Sequence, residues 1–322
     1  MLEKLLNDTS VGQDGLRHLV AWSVYTQLVE YTVPELLVGH RKSKDVCYEH
    51  VGKAMKLAMV SPYLQWVKPY MLDQVKTMLG NIRNGFRDAF KFSTWVKEGV
   101  RETALRKLAK MKAYVGSPGL RLDATFVEEL YRPFPDVPQD SLFPTWIKAV
   151  SLSAHYLWTD QKTRLYDEAA VNAFYQVFFN TIVIPTAIIQ RPLHYFEGPL
   201  ALSYGGLGTL RLMSRQQVVN DTLDSENIAD FVGVKVAYDA FALLPYRERI
   251  TTLVGLNISA NRLFFISHCI KWCAQHSRLT SRYAPYRSRC IVPLMNMPEF
   301  SNAFGCVAGQ PMNPRKKCDF WS

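Results

Sequence analysis

The sequence has no His-Glu-x-x-His run, and none of its seven histidines stands four residues from another, the spacing that sets two imidazoles around zinc on one helical face. It also has no Cys-x-x-Cys pair, no Gly-x-Ser-x-Gly elbow and no phosphate loop. By motif alone, then, no metal, nucleophile or nucleotide site declares itself. The opening residues, Met1-Leu2-Glu3-Lys4-Leu5-Leu6-Asn7-Asp8, turn polar before an apolar run long enough for a signal peptide or anchor forms, so no export address is expected in them. Cysteine is scarce. Six in 322 residues exclude a disulfide-dense miniprotein, although five of them fall between Cys269 and Cys318, which leaves an extracellular setting open.

What is present is core. The chain is 48% hydrophobic and 12% aromatic, enough to bury a large interior and too much for a disordered or low-complexity protein. Lys and Arg number 38 against 28 Asp and Glu, a net charge of +10 that would favour contact with nucleic acid, an anionic membrane or acidic peptides. Residues 169–190 carry no charge, but Asn172, Gln176, Asn180 and Pro185 interrupt the run. The β-branched and aromatic residues around them predict two buried strands rather than a membrane span.

Apolar residues at three- and four-residue spacings predict helices from Asp14 to about Tyr114. The last of these is basic, Lys97 to Lys112, with Leu105, Leu108 and Met111 on one face, and Gly116-Ser117-Pro118-Gly119 is expected to stop it. Without aromatic interleaving it reads as a solvated helix face rather than a nucleic-acid stripe. The proline-dense stretch 132–144 reads as a linker, giving a helical domain over 1–138 and a second domain over 139–322. Further helices are expected over 145–162, from Asp224 or Ser225 to Leu243, and over 261–275, while Tyr204-Gly205-Gly206-Leu207-Gly208 reads as a structural turn. Glu226 and Asp230 lie one helical turn apart. Paired carboxylates at that spacing hold a cation, share a proton, face water, or, in the case of Glu226, favour the helix N-terminus.

In order, Val171-Asn172-Ala173-Phe174-Tyr175, Asn180, Ile184-Pro185, Gln190, Ala201 to Gly208 and Glu226-Asn227-Ile228-Ala229-Asp230 resemble the neprilysin and endothelin-converting-enzyme family of zinc metalloendopeptidases. The ending, Phe300 to Cys306 and Pro311 to Trp321, is similar to that family's terminal signature, and Trp95, Thr103-Ala104, Lys107-Leu108 and Lys110-Met111-Lys112, with Gly116 and Pro118, match its helical region. The resemblance implies a mainly α fold with a small β-sheet, a helical part followed by the remnant of a thermolysin-like catalytic region. It implies that Glu226 is a zinc ligand and Asp230 the carboxylate orienting a zinc histidine. It further implies that Asn172 and Ala173 pair with a peptide substrate's backbone and that Arg289 stands beside the active site.

The same comparison exposes departures. After Gly208-Thr209-Leu210 the family enters its zinc-histidine helix, whereas here Arg211 to Gln217 leads quickly to Glu226. Both zinc histidines and the catalytic glutamate are missing, and Tyr283 stands where the family has its transition-state histidine. Without zinc an attacking water keeps a pKa of about 15.7 rather than about 7. The expectation is therefore a family member without hydrolytic activity, binding no zinc, with a peptide-binding cleft and a possible protein partner covering it. The alternatives are a fragment or splice form of an active secreted or membrane endopeptidase, and, behind it, a basic nucleic-acid or anionic-surface module. The family implies an extracellular or plasma-membrane ectodomain, in keeping with sequons at Asn7, Asn220 and Asn257. By resemblance Cys47, Cys273, Cys306 and Cys318 lack their usual mates, and Cys269 and Cys290 are private to this chain.

Overall fold

A computed structural model describes residue 10 and residues 12–33, 43–117, 120–121, 123–134, 142–159, 166–210, 213–214, 222–273 and 284–321. The chain divides into two compact units, Met1–Pro62 with Asp123–Lys162, and Tyr63–Leu122 with Thr163–Ser322. The expected boundary at 138/139 lies outside the described residues, as do the middle of the 132–144 linker and Tyr283.

The first unit is helical: α1 (Gly12–Thr32), α2 (Ser43–Ala54), most of α3 (Lys56–Leu64), α6 (Ala124–Tyr131) and α7 (Leu142–Thr159). Asp123 opens α6 by accepting from the Phe126 amide at 3.0 Å, an N-cap. The Tyr131 hydroxyl then accepts from the Leu57 amide at 3.1 Å, which fixes the end of α6 against α3.

The second unit holds α4 (Pro69–Phe92), α5 (Glu98–Ala109), α8 (Leu200–Gly205), α9 (Thr222–Ala242), α10 (Tyr246–Arg249), α11 (Ala260–Ile270), α12 (Tyr286–Met295) and α13 (Pro298–Phe304). Its sheet has the order β1 (Lys112–Val115), β3 (Thr181–Ile184), β2 (Phe174–Gln176) and β4 (Met213–Ser214). β1 runs parallel to β3, β2 antiparallel to β3, and β4 parallel to β2. The molecule is mainly α with a small sheet, as the sequence leads one to expect. The uncharged 169–190 run folds as β2 and β3, with Asn180 supplying the left-handed turn between them at φ 47°. Among the described residues no helix is long and apolar enough to cross a membrane.

One expectation is corrected. The basic helix does not run to Lys112 and is not stopped by the Gly116–Gly119 cluster; it ends at Ala109, and Lys112–Val115 turns into a strand. The cause is a long-range pairing: Tyr114 and Val115 register with Val183 and Ile184, and Arg83 donates to the carbonyls of Leu108, Ala109 and Met111 as the helix closes.

The core is aromatic. Tyr238 and Phe241 of α9 interlock with Phe264 and Phe265 of α11, and each such side chain removed from water stabilises the fold by roughly 1.5–3 kcal/mol. Glycine sets the distances between helices. A Cβ at Gly205 would lie 2.0 Å from the Phe264 carbonyl oxygen and one at Gly206 2.4 Å from that of Leu193, so the glycine-rich turn is what lets α8 seat on α11.

Candidate functional site

Asp230 and Arg289, 59 residues apart in sequence, meet in the interior. The Arg289 guanidinium donates from Nε to one Asp230 oxygen at 2.6 Å and from Nη2 to the other at 3.0 Å, a two-pronged pair whose side chains are 8% and 4% exposed. Asp230 lies in the first half of α9, on the buried face that also carries Val234 and Ala237. Arg289 comes from the first turn of α12, which Pro285 opens. The Trp272 ring, 3.8 Å from the guanidinium carbon, covers Arg289 and in turn stacks on Tyr286. A disulfide between Cys269 and Cys290 ties α11 to α12 beside this pair.

Next to the pair lies a second polar group. Lys271 Nζ donates to the Thr209 carbonyl at 2.9 Å and also to its hydroxyl, and His268 Nδ1 lies 3.1 Å from the same hydroxyl. The Thr209 hydroxyl in turn donates a hydrogen bond to the Gly205 carbonyl. Burial pulls the Lys271 ammonium down to about 7; the Asp230 carboxylate opposes that shift and Arg289 adds to it. His268 is held well below the ordinary histidine range, first by burial and then by Lys271. The segment at which the sequence leaves the family pattern is therefore fastened to α11 through its own polar atoms.

The other sequence-predicted residues sit elsewhere. Asn172 and Ala173 precede β2; the Asn172 side-chain oxygen accepts from the Ala173 amide at 2.9 Å, and Ala173 is buried in the core. The edge of β2 facing away from β3 is occupied at Phe174 and Tyr175 by Met213 and Ser214 of β4. Glu226 lies on α9 one turn before Asp230, with its side chain outside the described residues. Sequence motifs give no sign of Thr209, His268, Lys271 or Trp272, and they mark Cys269 and Cys290 only as private to this chain. A half-signal existed for two of them, since His268 and Lys271 follow the apolar face of α11 at three-residue spacing.

The fit to zinc can be judged from these positions. Among the described residues no three His, Cys, Asp or Glu side chains come together in a way that could hold a metal ion. Both Asp230 oxygens already accept from Arg289. The second buried histidine, His194, packs edge-on against Phe196, its pKa lowered by burial to about 4. The described side chains do not make a zinc site.

Residues 209–320 match the model of peptidase family M13. Neprilysin-1 of Trittame loki is 25% identical over 87% of this chain and 48% of its own length. Endothelin-converting enzyme 1 of Rattus norvegicus is 26% identical over 74% of this chain and 39% of its own. The chain is similar to the neprilysin and endothelin-converting-enzyme family. The matched stretch contains Glu226, Asp230, Lys271 and Arg289, so the buried pair lies in the part the family model recognises. Among solved structures, the Mycobacterium tuberculosis zinc metalloprotease Zmp1 in its open state superposes with a TM-score of 0.67 at 18% identity, covering 93% of this chain and 56% of that one. PepO from Lactobacillus rhamnosis superposes with a TM-score of 0.60 at 20% identity. These likenesses establish a family fold. The chain spans about half the length of the curated relatives it matches, or less.

Proposed function

We propose that this chain is a neprilysin-family protein that binds peptides without hydrolysing them. The observation that carries the reading is the missing ligand set: the sequence has no histidine between Gly208 and Glu226, and no three metal-ligating side chains converge among the described residues. Glu226 by itself cannot replace a three-ligand centre, and without the metal no water is activated near neutral pH. Peptide binding is supported by what the chain keeps of the family pattern in sequence, Asn172 and Ala173 directly before β2 and the Asp230–Arg289 pair on α9 and α12. In this role Arg289 and Asp230, engaged with each other, hold α12 against α9 rather than act on a bond.

An extracellular or membrane-ectodomain setting belongs to the same proposal. The Cys269–Cys290 disulfide favours an oxidising compartment, and Asn257 of the Asn257-Ile258-Ser259 sequon is exposed ahead of α11, where Ser259 caps the helix. Metal analysis of the purified chain, alongside isothermal titration with peptide mixtures and a fluorogenic endopeptidase assay, tests the reading. Binding without zinc and without cleavage is the expected result. One equivalent of zinc together with cleavage would overturn it, and would favour the alternative of a form related to an active endopeptidase.

A further inference from the structure

A cavity of about 470 Å³ lies between α4, α5 and β1, remote in sequence from Asp230 and Arg289 and unused by the proposed peptide cleft. Leu79, Ile82, Phe86 and Phe90 of α4, Leu108 of α5 and Met111 form its apolar walls. The volume falls in the range of small-molecule sites, about 300–1,000 Å³. Four cations border it, Lys76, Arg83, Lys107 and Lys112, and no carboxylate is among the residues that line it.

The four are not equivalent. Arg83 is committed to the carbonyls that end α5, and Lys76 pairs with Asp73 at 2.9 Å. Lys107 and Lys112 form no ion pair with an acid among the described residues and are exposed at the rim. Lys107 is held over the Tyr175 ring, its ammonium 5.5 Å from the centroid, and that ring also lines the cavity. Tyr175 is fixed in turn by donating to the Asn180 side chain at 2.9 Å. An apolar chamber with two ammonium groups at its edge that have no acidic partner among the described residues, and no acid lining it, selects an occupant with a long apolar body and a single anionic end.

We propose that this cavity binds a fatty carboxylate, its alkyl chain between α4 and α5 and its carboxylate at Lys107 and Lys112. A neutral lipid would leave the two cations unanswered, and a cationic amphiphile would meet them as like charges. The charge pattern therefore chooses among apolar ligands.

Isothermal titration of the purified chain with dodecanoate, dodecanol and dodecyltrimethylammonium, each below its micelle concentration, tests the proposal. One saturable dodecanoate per chain is expected, about tenfold or more tighter than dodecyltrimethylammonium, a difference of about 1.4 kcal/mol. The double variant Lys107→Gln/Lys112→Gln should weaken dodecanoate about tenfold and leave dodecanol unchanged. Two filling variants address the chamber itself. Gly80→Leu uses a helical glycine whose added Cβ would meet nothing within 4 Å, and Ala104→Leu enters from α5. Each should abolish binding of every alkyl ligand while the thermal midpoint is retained. The proposal is overturned by absence of saturable dodecanoate binding, by equal affinity for the cationic amphiphile, by indifference to the lysine pair, or by binding that survives both filling variants in folded protein.

Discussion

Two regions of the second unit treat charge in opposite ways. Around α9, α11 and α12, Asp230 and Arg289 answer each other, Lys271 is answered by Thr209, and a tryptophan ring covers the guanidinium. Around α4, α5 and β1, cations stand at the border of an apolar chamber that no carboxylate lines. In the first region charge is part of the packing, and removing one member strands another in a poorly solvated place. In the second, the lysines stay in water and cost the fold little. The difference separates residues that hold the molecule together from residues left available to something outside it.

The contrast can be broken most sharply at Arg289. Arg289→Leu leaves the Asp230 carboxylate buried without its partner and should cost about 3–5 kcal/mol, read as a shift in the urea midpoint. The double variant Asp230→Leu/Arg289→Leu should recover most of that loss. If the single variant is as stable as the parent, the pair is not a buried structural element.

Next in size is the Cys269–Cys290 bridge, which closes a sequence separation of 21 residues beside the pair. Replacing both cysteines with alanine should cost about 3 kcal/mol through the entropy returned to the unfolded chain. Urea melts of the oxidised parent and the double variant measure this, and a difference near zero would remove the bridge from the account.

Lys271 sharpens the same region through pH. Its folded-state pKa of about 7 lies below the ordinary lysine value of about 10.4, so the unfolded chain binds more protons between those limits. Stability should therefore rise with pH from about 7 towards about 10, and the penalty should be fully present below pH 7. Lys271→Met should flatten that slope. A parent whose stability falls over this interval, relative to Lys271→Met, would contradict the burial of its ammonium.

The smallest effect belongs to the other region. Lys107→Gln and Lys112→Gln should each change stability by no more than about 0.5 kcal/mol, because neither side chain is part of a buried network. A large loss in either would make the rim structural and erase the contrast.

The two regions were also unequally legible in the sequence. Asp230 stood out by its one-turn spacing from Glu226, but spacing could not say that Arg289 would meet it, because that pairing spans 59 residues and depends on how α9 and α12 pack. Thr209, His268 and Lys271 escaped notice for the same reason, since each is unremarkable until α8 seats on α11. The two strands of 169–190 were legible from β-branched residues around a polar turn. β1 was not, because four residues continuing an amphipathic helix become a strand only when Thr181–Ile184 offers an edge. In the sequence the rim lysines belong to an ordinary solvated helix face; the apolar chamber behind them is visible only in the fold.

The central proposal is that the chain keeps the fold of its relatives and binds peptides without a working metal centre. Equilibrating the purified chain with zinc, removing the excess and measuring bound metal together with turnover of a fluorogenic peptide tests it most directly. The account predicts no stoichiometric zinc and no turnover above a chelator-treated control; one zinc per chain with chelator-sensitive cleavage would contradict it.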